Sequence, residues 1–482
     1  MTDSAETGLS DVVGAYTEVL GRFGTVVDFR IDALDRTGLP VTSCSLLVDG
    51  ALTHHGNGYA ATPEAARVGG LGELVEGVVG AQGVARLRRA AETGSRRDLV
   101  RRYGAEGVVD PRTLALPAGA DWSEDRPVEW VTFADVRTGA PVRVPVEMAA
   151  SDAGELAGAP APLLPPVTNG LGAGLDADRA VAHGIGEVLQ RHTNGLRFRA
   201  LDRLSPVVPE EGLPPAVLDL LGRLRASGID PVLKLAASEL GVCSTYAVAR
   251  DEAPADKIVV TACGEAAHPD PATSLVKALL ELANSRARKA FCFGRADAAR
   301  ALMPAAYRDH LDPHPGDERA VAAMRGWAEL PTAELADLVA PDTSRTTTVA
   351  ALTPPGPALT DPSPAGTLAH LLAALDGHDV LAAVTEVDGV VAAKVLVTGL
   401  DVETLSHGRI GEHGVRTSLE HDLDLVRLGP APVGEHDARV HLSEETQERL
   451  GGPAWFSYPA ADRIVGPLYS LYREPGRHSV EV

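Results

Sequence analysis

Glutamates recur in this chain at matched places, each on a helix-forming run a short way after a glycine-containing segment. Asn57-Gly58 leads through Thr62-Pro63-Glu64 to Glu73 and Glu76. Thr168-Asn169-Gly170-Leu171-Gly172-Ala173-Gly174 leads through Asp176 and Asp178 to His183 and Glu187. Cys263-Gly264-Glu265 leads through His268-Pro269-Asp270-Pro271 to Lys277 and Glu281. Carboxylates gathered from distant helices offer the oxygen ligands that hard divalent cations take. Such a site handles a polyanion through the metal, and the pattern points to a metal–nucleotide enzyme.

Any one of these glutamates, taken alone, reads as an ordinary solvent-facing helix residue. Their neighbours argue otherwise. Val68, Leu71, Leu74, Val75 and Val78 leave little polar face beside Glu73, and Ile185, Val188 and Leu189 crowd Glu187. A carboxylate on an apolar helix face needs a paired charge or a metal.

The elements that must position them follow from periodicity and turn chemistry. A helix is expected over 10–24, then strands over 25–31 and 41–48 with a turn at Asp49-Gly50. His54-His55 reads as an exposed turn. Apolar spacing over 63–79 places Glu73 and Glu76 three residues apart on one helix face. The arginines from 86 to 102 read as a solvated basic helix over 84–104. Strands are expected at 128–133 and 142–146, a linker at 153–166 and the second glutamate helix at 176–192. A helix at 215–227, strands at 231–236 and 245–249, and the third glutamate helix at 271–289 follow. Residues 315–365 read as mobile loops; a helix at 368–375 and strands at 379–387 and 391–397 come next. The tail, with Pro453, Pro459, Pro467 and Pro475, is expected to lie across another surface. The mixture of hairpins and helices gives an α+β class.

Composition narrows the partners. The 482 residues exceed the usual single-domain size, and a hydrophobic fraction of 45% can bury a large core. A net charge of −22 argues against nucleic acid or an anionic membrane as a partner. It leaves room for a polyanion bound through Mg2+, which reverses the local sign. Four cysteines without CxxC spacing suit reduced thiols, and no secretory signal or membrane-length apolar run is visible, so a cytoplasmic location is expected.

The three segments resemble the YcaO superfamily over roughly residues 20–420. Asn57-Gly58 through Glu73-Leu74-Val75-Glu76 is similar to its first nucleotide motif, Thr168 to Gly174 with His183-x₃-Glu187 to its second, and Cys263-Gly264 through Glu281 and Asn284-Ser285-Arg286 to its third. Thr398-Gly399-Leu400-Asp401 resembles its late Pro-Gly-Leu-Glu segment. The resemblance divides the chain into an N-terminal segment 1–20, a YcaO domain 21–420 and a C-terminal segment 421–482. It departs from the family at Gly69 (usually Ser), His183 (commonly Gln), Gln190-Arg191-His192 (often Glu-Arg-Asp) and Lys277 (usually Arg). Lys277 keeps a positive charge and loses the bidentate fork.

The resemblance implies a YcaO-like fold with a central Mg-ATP site, and ATP and Mg2+ as cofactors. Glu73, Glu76, Glu187 and Glu281 are the metal candidates. Lys277, His183, Arg286, Arg197 and Arg199 are the phosphate candidates. The implied reaction phosphorylates a backbone amide oxygen of a ribosomally made precursor peptide, and gives an azoline, a thioamide or an amidine according to the nucleophile. A homodimer is expected, as is a separate leader-peptide-binding or TfuA-like partner protein. The competing readings are a degenerate YcaO that binds peptide or a partner without catalysis, and an ATP-using enzyme acting on a small-molecule amide.

Overall fold

Thr62, Asp176 and Asp270 stand in extended backbone just ahead of the helices Pro63–Arg88, Ala177–Asn194 and Pro271–Phe293. Each side chain accepts a hydrogen bond from a first-turn backbone N–H. These caps satisfy donors that a helix start otherwise leaves open, and Pro63 and Pro271 preset the backbone at the first helical turn. The computed structural model describes residues 2–197, 199–251, 253–311, 318–466 and 468.

Ahead of each cap the chain is a strand where a turn was expected: Ala51–Tyr59, Leu171–Gly174 and Thr261–His268. Each strand lies against the helix that follows it. A Cβ placed on Gly58 would sit 1.7 Å from the Ala66 carbonyl oxygen. One on Gly172 would sit 2.1 Å from that of Ala180, and one on Gly264 2.3 Å from the Leu282 nitrogen. These glycines mark where helix backbone rests directly on strand backbone. Gly69 belongs to the same contact, because its Cβ would come 3.3 Å from the Gly58 Cα. A side chain there presses on the strand, which gives this departure from the family pattern a packing reason. His54 and His55 are strand residues too.

Every pairing between described strands is antiparallel. The first unit's strand edges a sheet with Thr25–Arg30 and Val41–Val48, and the third unit's edges one with Asp230–Glu239 and Val242–Arg250. Leu171–Gly174 joins the larger sheet beside Val390–Val397, in register from Leu171↔Lys394 to Gly174↔Val391. Antiparallel sheets faced by helices make the α+β class expected from the sequence.

Three expected elements differ. The basic run is not one helix: Pro63–Arg88 carries its first part, a short strand Glu92–Ser95 intervenes, and Ser95 caps a new helix Arg96–Tyr103. Residues 318–338 hold two helices, Glu318–Glu329 and Thr332–Leu338, whose Val321, Met324, Trp327 and Leu335 are buried in the core. Apolar spacing outweighed composition there. The C-terminal segment builds a three-stranded sheet of its own. Its Leu425, Val440 and Phe456 share one apolar cluster with Leu196, Leu405 and Ile410 from before position 420. Pro467 and Pro475 lie outside the described residues. At the other end, Val13, Tyr16 and Leu20 of the helix Thr2–Leu20 pack on Leu71, Leu74 and Val75 of the first glutamate helix. Among the described residues, no helix is long and apolar enough to cross a membrane.

The strand–helix contact predicts a sharp asymmetry among glycine substitutions. Gly58→Ala drives a methyl into helix backbone and is expected to cost about 3 kcal/mol or more. Gly222→Ala, in an exposed helix position with nothing within 4 Å, is expected to be neutral or slightly stabilising. Urea denaturation of the two variants checks this, and equal midpoints would contradict the packing account.

Candidate functional site

The three strand–helix units share one hydrogen bond. Glu73 Oε2 accepts from the Asn57 N–H at 2.7 Å, Glu187 Oε2 from Gly170 at 3.0 Å and Glu281 Oε2 from Glu265 at 2.9 Å. Each pair is separated by 16 or 17 residues along the chain. One oxygen of every carboxylate is therefore tied to its strand, and no described residue hydrogen-bonds the second oxygen of Glu73 or Glu281.

Glu73, Glu76, Glu187 and Glu281 line one cavity of about 530 Å³. His183 and Lys277 line it as well, together with Gln190, Arg191, Asn284 and Arg288. His183 Nδ1 is 3.4 Å from Glu76 Oε1. Arg191 is placed by its helix one turn after Glu187, 3.7 Å from that carboxylate, and it bonds the buried Glu265 carboxylate across the cavity wall. The volume lies within the range of ligand-binding clefts.

The electrostatics follow from concentrating carboxylates away from bulk solvent. Burial within the protein mass pushes Glu73 up to about 7, although the side chain is exposed to the cavity itself. Burial, then the neighbouring Glu265 charge, pushes Glu281 up to about 8, and burial raises Glu187 and Glu265 as well. Lys277 moves down, since desolvation disfavours its ammonium despite Glu281 one turn away. A divalent cation would oppose these shifts, because its charge favours the ionised carboxylates.

The donor set fits Mg2+ held jointly by protein and phosphates. Among the described residues, no three of these carboxylates bring ligand atoms within 4.8 Å of one another. That spacing is too wide for an all-protein cage. It suits Mg2+, which takes one or two carboxylates and completes its octahedron with phosphate oxygens and water. His192, Glu239 and His413 do lie that close together. However, His192 Nδ1 accepts the Asp401 N–H at 3.0 Å, so the neutral ring carries its proton on Nε2 and has no lone pair left for a metal.

Two phosphate candidates from the sequence, Arg286 and Arg197, are not brought to the cavity. The Arg286 guanidinium is fully buried and bonds Asp35, Asp251 and the Val259 carbonyl, so its donors serve an internal ion-pair network. Arg197 lines a separate small cavity beside His192 and Asp401. Arg199 begins the short helix Arg199–Leu204, and its side chain lies outside the described residues. The cations that do reach the cavity beside Lys277 include Arg191 and Arg288, which went unassigned from sequence. Both had a signal: they sit four and seven residues after a cavity glutamate, on the same helix face.

The family described as "YcaO cyclodehydratase, ATP- and Mg2+-binding" matches residues 57–401. Among curated proteins, none matches this chain in sequence. Among solved structures, the chain is similar to YcaO from Methanopyrus kandleri bound with AMPPCP and Mg2+, at 20% identity and a TM-score of 0.57, covering 85% of this chain and 94% of that one. It is also similar to a heterocyclase in complex with substrate and cofactor (15% identity, TM-score 0.61) and to the heterocyclase TruD (16%, 0.51). It covers 85% and 72% of this chain in those two matches, and about half of each heterocyclase, 54% and 47%. At these identities the likeness establishes the fold.

The raised Glu281 carboxyl predicts a pH signature. With a folded value near 8 against an ordinary 4.5, the folded state holds a proton that the unfolded chain releases between those values. This group's contribution to stability is present below about 4.5 and is lost as pH rises through 8. In metal-free protein, Glu281→Gln is therefore expected to gain thermal stability relative to the unmodified chain at pH 8 and not at pH 5. A difference independent of pH would contradict the shift.

Proposed function

The chain belongs to the YcaO family, and on that premise we propose that it uses ATP and Mg2+ to activate a backbone amide of a ribosomally made peptide toward cyclodehydration. The observation that carries this reading is the convergence of Glu73, Glu76, Glu187 and Glu281 on one cavity that also receives Arg191, Lys277 and Arg288. Bound ATP supplies a phosphoryl group that turns the amide oxygen into a leaving group. Phosphoryl transfer asks the protein for positioning and charge neutralisation more than for a covalent side chain.

The residues divide that work. The four carboxylates are Mg2+ ligands, with Glu73, Glu187 and Glu281 held in place through their strand amides and Glu76 beside His183. Lys277, Arg191 and Arg288 face phosphate oxygens, and His183, half-exposed beside Glu76, orients that carboxylate or donates to a phosphate. The Glu265–Arg191 pair fixes the guanidinium from behind, so the charge is oriented before the nucleotide arrives. A Cys, Ser or Thr side chain of the peptide as nucleophile yields an azoline ring, the outcome that the family description favours.

Calorimetry of ATP binding in the presence of Mg2+ tests the assignment. The unmodified protein is expected to bind, and Glu187→Gln and Glu281→Gln to weaken binding at least about tenfold, the loss of roughly one charge-assisted contact. Arg191→Ala is expected to lose most of the peptide-stimulated phosphate release while retaining measurable binding. Absence of nucleotide binding in the unmodified protein would overturn the reading, and binding without turnover on any peptide would favour a non-catalytic subunit.

A further inference from the structure

The amide that holds Glu187 stands apart from the other two. Asn57 and Glu265 donate from inside their strands, where the cross-strand partners Ser43 and Tyr246 fix them. Gly170 donates from one residue ahead of Leu171–Gly174, at the end of a stretch from 157 that holds no helix or strand. Its backbone has a positive φ of 84°, and the turn closes with the Leu171 N–H donating to the Thr168 carbonyl at 3.2 Å. A turn residue shifts more easily than a strand residue, so this unit needs a further restraint.

That restraint comes from the neighbouring strand, Val390–Val397. The Val395 N–H donates to the Gly170 carbonyl at 2.8 Å, and the Lys394 ammonium donates to the Val167 carbonyl at 2.5 Å. Consecutive residues of one strand therefore grip both ends of the segment 167–170. Lys394 is the one charged residue in Val-Val-Ala-Ala-Lys-Val-Leu-Val, every residue of which is buried. Burying an ammonium is costly, and an apolar side chain would fill the same place without that cost. What an apolar side chain could not do is hold the Val167 carbonyl. We infer that Lys394 is a positioning residue for Glu187: by holding that carbonyl it sets where the Gly170 N–H points. The inference rests on the Mg2+-ligand reading of Glu187 above and adds the residue that keeps this ligand in place. Lys394 lines a separate cavity of about 30 Å³ with Val167, Asn169 and Val188, so it acts through the turn and not on the nucleotide.

Asn-Gly steps occur in the chain at 57–58, 169–170 and 194–195, so ¹³C-carbonyl asparagine with ¹⁵N-glycine gives three selective amide signals. Asn169→Ser removes, and so assigns, the Gly170 signal. In the metal-free unmodified protein, exchange of the Gly170 amide with D₂O is expected to be slow. Lys394→Met is expected to speed it about tenfold, the weight of one charge-assisted hydrogen bond, with Gly58 unchanged. A fold-wide loss of stability would speed both signals, so Gly58 separates local release from unfolding. The second readout is affinity for Mn2+ with a non-hydrolysable ATP analogue. Lys394→Met is expected to weaken it about tenfold, as loss of a group that orients a metal ligand does, and Lys394→Arg, which keeps a donor, to restore most of it. Combined with Glu187→Gln, Lys394→Met is expected to add nothing, because the carboxylate it positions is gone. An unprotected Gly170 amide in the unmodified protein would overturn the assignment, and so would equal losses on Lys394→Met with and without Glu187. Gly170 exchange that depends on Lys394, in a protein that binds no nucleotide, would support the positioning role and count against the proposed reaction alone.

Discussion

A single contact, repeated three times, governs this molecule: a strand N–H donating to a glutamate on the helix that follows. A backbone amide cannot rotate away from its strand, so it fixes a carboxylate more firmly than another side chain can. It also leaves the second oxygen of Glu73 and Glu281 without a hydrogen bond from any described residue. The contact requires the helix to lie on the strand at backbone distance, which is why glycine occupies 58, 172 and 264. Capping, strand pairing and apolar packing then serve to bring three such units around one cavity.

The charge pattern follows from that geometry. Burial within the protein mass disfavours ionisation of Glu73, Glu187, Glu265 and Glu281, and their mutual repulsion adds to it. The metal-free site is therefore electrostatically poised, with groups near 7 and 8 that a divalent cation would ionise. On the proposed assignment, a triphosphate arriving with Mg2+ would meet carboxylates already oriented, while a bare polyanion would meet repulsion. An acidic chain can in this way be selective for a metal-bound nucleotide.

Much of this was legible in the sequence. The three glutamate helices, their caps and the α+β class follow from periodicity and from Thr62, Asp176 and Asp270. The strands at 171–174 and 261–268 did not, because glycine is read as turn punctuation when its reason is a neighbour distant in sequence. Arg286 was assigned from motif likeness. On a helix of 3.6 residues per turn it stands about 140° from Glu281, whereas Arg288 stands about 20° away and Asn284 about 60° away. The helical wheel would have chosen Arg288. The Arg191–Glu265 pair spans 74 residues and needs two units to be docked, so no local pattern announces it.

The central claim is that these carboxylates converge on divalent ions gripping a triphosphate. Anomalous diffraction from crystals grown with Mn2+ and a non-hydrolysable ATP analogue tests it most directly. The account predicts manganese peaks inside the 530 Å³ cavity, within bonding distance of oxygens from Glu73, Glu76, Glu187 and Glu281 and of the phosphates. Nucleotide and manganese bound elsewhere, with those four side chains touching neither, would contradict it.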